Sequence, residues 1–177
     1  MGKKSTRTKR KKARKHKDIY LFTIRYVIFT AFFLLLIGYK PIKNFIDFNG
    51  IYTNFIVKTT AFILKPLSII RSTHGSLIYL KGITLDVKFG CNGLEAFLIY
   101  AAGILSFPAP QSKKIKGLIA GLLIIQILNI IRIAALSLSG IYLKKYFHYI
   151  HVYIAQGIMI AVALIVFLFW LNYASQE

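Results

Sequence analysis

The sequence predicts an all-α polytopic membrane protein: a helix bundle with about four transmembrane helices, one interfacial amphipathic helix and a small extracytoplasmic β-hairpin. Three observations carry that expectation. The 177 residues are 56% hydrophobic, with a mean hydropathy of +0.61, which is more apolar than a soluble domain sustains. The apolar residues fall in long runs almost free of charge. The net charge of +19 is unevenly spread, since residues 1–17 hold ten of the 24 Lys and Arg and no acid. The length suits one membrane-embedded domain, 19–173, between a basic cytoplasmic tail, 1–18, and a short C-terminal tail, 174–177.

A block of like charge is ordinarily disordered and solvated. It can neutralise nucleic-acid phosphates. Here a long apolar run follows at once, so the tail is expected to hold the N-terminus in the cytoplasm against anionic lipid, with the bilayer and no nucleic acid as partner. No small-residue cleavage site follows the run, which argues against a cleaved signal peptide.

The first membrane helix is expected over Ile19–Tyr39, with Arg25 snorkelling to the headgroups and Lys40-Pro41 ending it. Over Ile51–Ile70 the apolar residues recur near every 3.6 positions while Lys58 and Lys65 lie opposite. That suits a helix lying in the membrane interface, ended or kinked at Pro66. From Ile83 to Phe89 apolar and polar residues alternate, and Lys81-Gly82 separates this stretch from Leu77–Leu80, which predicts a hairpin. It must stand outside the hydrocarbon, where open sheet edges are not tolerated. His74 is read as a loop residue. Three further spans are expected: Asn92–Phe107, short for a crossing, then Ile115–Ser139 and His151–Tyr173. With the N-terminus inside and 51–70 not crossing, the lysines of QSKKIK fall in the cytoplasm, while Cys91, Arg132 and His151 converge toward the outer face. If 51–70 does cross, Cys91 falls on the other side.

Cys91 is the only cysteine, so no internal disulfide framework exists. By itself it reads as a small buried hydrophobe, and His151 by itself as an interfacial side chain. Arg132 is harder to set aside. An arginine inside an apolar helix costs about 2.5–3.5 kcal/mol on insertion scales and marks a functional candidate. Its structural alternative is an ion pair with Glu95. Taken together, the three side chains suit acyl transfer. A helix N-terminus and a guanidinium favour a thiolate, histidine moves a proton near neutral pH, and arginine holds an oxyanion. Asn92 either orients a neighbour or caps the helix, and Glu95 is one helical turn from Cys91. Metal chemistry is the competitor. His148, His151 and Cys91 would be a thin zinc set, disfavoured by Arg132 nearby, so neither a metal nor another cofactor is expected. The second reading of the whole chain is a non-enzymatic small membrane protein, a complex subunit or transporter component, with a structural Arg132–Glu95 pair and an inert Cys91.

The stretch GCNGLEAFLIYAAGILSFPAP, a basic loop, GLLIIQILNIIRIAALSLSG and HVYIAQG resembles the exosortase/archaeosortase family of membrane transpeptidases, most closely the exosortase H group. The resemblance lies in the order Cys91, then Asn129-x-x-Arg132 in a following helix, then His151 opening the last one. It implies Cys91 as nucleophile, Arg132 as transition-state stabiliser and His151 as acid/base, with Asn92, Glu95 and Asn129 in support. It also implies the substrates: secreted proteins carrying a C-terminal motif, a transmembrane helix and a basic tail, processed at the periplasmic face of a bacterial inner membrane. Many family members have more spans, so this chain resembles a minimal core.

Overall fold

The computed structural model describes residues 2–38, 48–87 and 90–176 of the chain. Helix α1 runs over Gly2–Gly38. The basic tail is therefore helical and continuous with the first span, although blocks of like charge are ordinarily disordered. Lys and Arg are good helix formers, and the apolar run below them extends the same helix. The Lys40-Pro41 stop lies outside the described residues. Helix α2, Phe48–Leu64, passes into a short 3-10 turn, Lys65–Leu67. It thus ends at Pro66 as the sequence requires and does not continue to Ile70.

The buried face of α2 is not the predicted apolar stripe. Thr53, Ile56, Val57, Thr60 and Leu64 are buried, while Ile51, Phe55 and Phe62 are exposed. The exposed Ile51, Phe55, Phe62 and Ile63 belong to the stripe that periodicity picks out, the side that an interfacial helix turns to lipid. Packing chose the side carrying two threonines, because that side meets the sheet and the functional turn described below.

The predicted hairpin is present as β2, Leu77–Leu80, and β3, Ile83–Asp86, paired antiparallel across Lys81-Gly82. A further strand, β1 over Ile70–His74, precedes it and completes a meander of order β1-β2-β3. His74 is therefore on a strand and not in a loop, and Ile70 belongs to that strand and not to α2. The polar, interrupted sequence of β1 (RSTH) carries no alternation to announce it, and pairing with β2 supplies the order. Lys88 and Phe89 lie outside the described residues.

Helix α3 covers Leu94–Ser106 and α4 covers Gln111–Tyr142. The chain closes with one helical run, Lys144–Ser175. It consists of a 3-10 turn, a single turn α5 (Phe147–Tyr149), a π-helical segment Ile150–Ala155, and α6, Gln156–Ser175. Among the described residues three helices are long and apolar enough to cross a membrane: Asp18–Leu36, Gln111–Tyr142 and Lys144–Ser175. The fourth expected span is a helix of 13 residues, about 20 Å long and short of a ~30 Å hydrocarbon core. It lies among α1, α4 and α6, so its ends are met by protein rather than lipid. Lys114 Nζ donates to Leu105 O at 2.9 Å and Lys113 Nζ to Ala174 O at 3.3 Å, so the two lysines satisfy carbonyls at the C-terminal ends of α3 and α6.

Two apolar cores result. One, around Ile56, Val57, Ile78, Leu85 and Ile133, joins α2 and the sheet to α4. The other, around Tyr100, Ile104, Ile125, Met159 and Trp170, joins α3, α4 and the closing run. On α4, Ile125 belongs to the second core and Ile133 to the first. The residues between them lie where the two cores meet.

Candidate active site

Cys91 lies on the turn that links the sheet to α3. Gly90 and Gly93 bracket this turn with φ of +88° and +79°, a left-handed conformation that side chains with a Cβ rarely adopt. A Cβ on Gly93 would stand 2.8 Å from Asn129 Cγ, and one on Gly90 would stand 3.3 Å from the Glu95 carboxylate. Both glycines thus let the backbone approach residues the sequence had singled out. Cys91 itself precedes the helix, whose N-cap is Gly93. Asn92 is not the N-cap. Its Oδ1 accepts a hydrogen bond from Leu94 N at 3.1 Å, and its Nδ2 donates to Thr53 Oγ1 at 2.8 Å.

The central contact spans 60 residues of sequence: Cys91 Sγ lies 3.5 Å from His151 Nε2. His151 does not open the last helix, as expected, but sits in the π-helical segment of the closing run. Such wide turns interrupt the regular ladder and recur at functional sites. The ring is stacked on Phe147, centroids 5.7 Å apart and planes 12° from parallel, while its Nδ1 has no hydrogen-bond partner. His148, one turn earlier, is exposed.

Arg132 is only 8% exposed, and its Nε and Nη2 have no partner. Its charge acts on His151. The alternative ion pair with Glu95 is not formed among the described residues. Glu95 is instead drawn over Gly90, so the structural alternative for Arg132 loses its partner. Arg132 lines a cavity of about 270 Å³ between α4 and the closing run, together with Leu128, Ala135, Ile150 and Ile154. Cys91 and His151 do not line this cavity. Asn129 is fully buried with both amide atoms unpartnered. Isolated buried polar atoms of this kind call for an explanation beyond packing.

Sequence reasoning missed Thr53, Gln126 and Phe147. Gln126 Nε2 donates to Gly93 O at 3.2 Å. A signal for it existed, because Gln126, Asn129 and Arg132 repeat at intervals of three on one helix face. Thr53 had none, since its partner Asn92 is 39 residues away. Among the described residues no three His, Cys, Asp or Glu side chains gather closely enough to hold a metal ion.

The fold and site therefore define a multi-pass helical membrane protein in which a thiol and an imidazole meet and a buried arginine leaves its Nε and Nη2 without partners. The family model described as transmembrane exosortase (Exosortase_EpsH) matches residues 21–170, and the chain belongs to that family. Membership brings a membrane-embedded function in the sorting of secreted proteins. No curated protein and no solved structure matches the chain.

Proposed function

We propose that this chain is a membrane-embedded cysteine protease/transpeptidase that cleaves the C-terminal sorting signal of secreted proteins at the periplasmic face of a bacterial inner membrane. The observation that carries the reading is the 3.5 Å approach of Cys91 Sγ to His151 Nε2, between residues that no secondary-structure element would bring together. His151 takes the thiol proton on Nε2, which requires the tautomer protonated on Nδ1. The thiolate attacks the scissile carbonyl carbon, and the developing oxyanion is held by the Arg132 guanidinium. Collapse breaks the C–N bond, His151 returns its proton to the leaving amine, and a thioester remains on Cys91. Water or an acceptor amine then releases the acyl group. Asn92, Glu95 and Asn129 support the site, and 19–173 acts as one domain. No metal or other cofactor enters these steps.

The roles of the two histidines separate this reading from metal chemistry. His151→Ala lowers cleavage of a co-expressed membrane-anchored substrate by about two orders of magnitude, the range for losing a general base. His148→Ala changes it little. Cleavage is read by gel shift at matched enzyme levels. Equal losses in both variants would overturn the assignment and favour a shared metal.

The orientation is supported by the grouping of charge. Phe22 of α1 meets Phe107 edge-on at 6.3 Å, and Lys113 bonds to the carbonyls of Ala174 and Gln176. The basic tail, the lysine loop and the C-terminus thus share one end of the bundle, and the positive-inside rule assigns that end to the cytoplasm. The sheet and Cys91 occupy the other end. Reporter fusions at Thr73 and Lys114 should therefore report opposite sides of the membrane. Both on one side would reject this layout.

A further inference from the structure

We infer that Thr53 is a positioning residue for Cys91, and that α2 with its threonine face serves to aim the thiol at His151. The inference rests on the proposed nucleophilic role of Cys91, but its geometry stands independently. Thr53 is 3% exposed and Asn92 is fully buried. The 2.8 Å hydrogen bond between Asn92 Nδ2 and Thr53 Oγ1 is therefore made out of contact with solvent, where an unmet amide is costly. The other end of the same amide accepts from Leu94 N. One planar group thus ties α2 to the first residue of α3 and fixes the residue that follows Cys91.

A second tie acts from the opposite side. Gln126 of α4 donates to Gly93 O at 3.2 Å, and Asn129 packs where Gly93 leaves room for it. The two residues after the thiol are consequently held by α2 on one side and α4 on the other. The cysteine is left to reach the third element, the closing run that carries His151. A threonine inside a helix commonly turns its hydroxyl back on its own backbone, as Thr59 does to Phe55 O at 2.9 Å. Thr53 instead receives the Asn92 amide across 39 residues of chain. It contributes no chemistry to the reaction and acts only through Asn92.

The test uses the full-length protein in membranes and exploits the single thiol. The rate of alkylation of Cys91 by iodoacetamide at neutral pH is measured for wild type, Thr53→Val and Thr53→Ser, each with and without His151→Ala. In the wild-type background His151→Ala slows alkylation. In Thr53→Val the rate is already about five- to tenfold lower, as for the loss of one hydrogen bond, and His151→Ala adds little, because the sulfur no longer meets the ring. Thr53→Ser retains the hydroxyl and restores both the rate and its dependence on His151. If Thr53→Val gives too little folded protein, Gln126→Met removes the opposite tie without burying an unmet amide of its own, and it should show the same weakened dependence on His151. A wild-type response from well-folded Thr53→Val overturns the inference. So does Thr53→Ser behaving like Thr53→Val, which would mean that shape and not the hydroxyl matters. Since alkylation needs no substrate, a protein inactive in cleavage can still confirm or refute the clamp. Failure of the enzymatic reading would appear separately, as cleavage that survives Cys91→Ala.

Discussion

Cys91→Ala is expected to abolish cleavage of a co-expressed membrane-anchored substrate. No second thiol exists in the chain, and no nearby group can replace the sulfur in a thioester. Cys91→Ser is nearly as damaging. A hydroxyl is far less acidic than a thiol, and its activation ordinarily needs a base oriented by a third group. Here His151 Nδ1 has no such partner, so serine would face an unsupported imidazole. The measurement is a gel shift of the substrate at matched enzyme levels, with Cys91→Ala, Cys91→Ser and wild type side by side. A substrate fully processed by Cys91→Ala would remove the nucleophile from the mechanism and leave a membrane protein whose thiol is inert. Retained activity in Cys91→Ser would point to a stronger base than the structure contains.

Arg132→Lys is expected to lose most of the activity although it keeps the positive charge. The guanidinium offers a planar fork of donors, two of which, Nε and Nη2, are buried without partners. Lysine presents one compact ammonium on a flexible stem and cannot reproduce that geometry. Removing an oxyanion donor commonly costs a hundredfold to a thousandfold in turnover, or about 2.7–4 kcal/mol. A loss of that size in kcat, with expression and membrane insertion unchanged, is the outcome that supports the role. Full activity in Arg132→Lys would show that only charge is needed. Full activity in Arg132→Ala would show that the buried guanidinium serves something other than the reaction.

Much of the architecture could be read from composition and spacing because the bilayer imposes strong rules. A segment such as 19–36 must be helical in lipid, since no solvent there can satisfy its backbone. The β2–β3 hairpin announced itself through alternation around Lys81-Gly82, and the end of α2 through Pro66. The misreadings arose where local signals are weak. Strand β1 is polar and irregular, and only its pairing with β2 orders it. Which face of α2 meets protein was not legible, because lipid and protein interior are both apolar and hydropathy cannot tell which side meets which. The helical form of the charged tail was not legible, because blocks of like charge are ordinarily disordered and its order follows from continuity with the span beneath it.

The candidate site divides in the same way. Cys91, Arg132 and His151 stood out because a lone thiol, an intramembrane arginine and a boundary histidine are each costly or chemically distinctive in an apolar chain. The alternative pairing of Glu95 with Arg132 is not formed among the described residues, and the Glu95 carboxylate lies over Gly90 instead. The sequence by itself determined that this is a helical membrane protein with a small hairpin, and which residue types could do chemistry, because these depend on hydrophobicity, charge and period. Only the tertiary structure decided that Cys91 meets His151, that Arg132 is left unpartnered, and that Thr53 and Gln126 hold the intervening turn. Those contacts join residues 33–60 positions apart. They follow from how α2, α3, α4 and the closing run pack against one another, which no local pattern encodes.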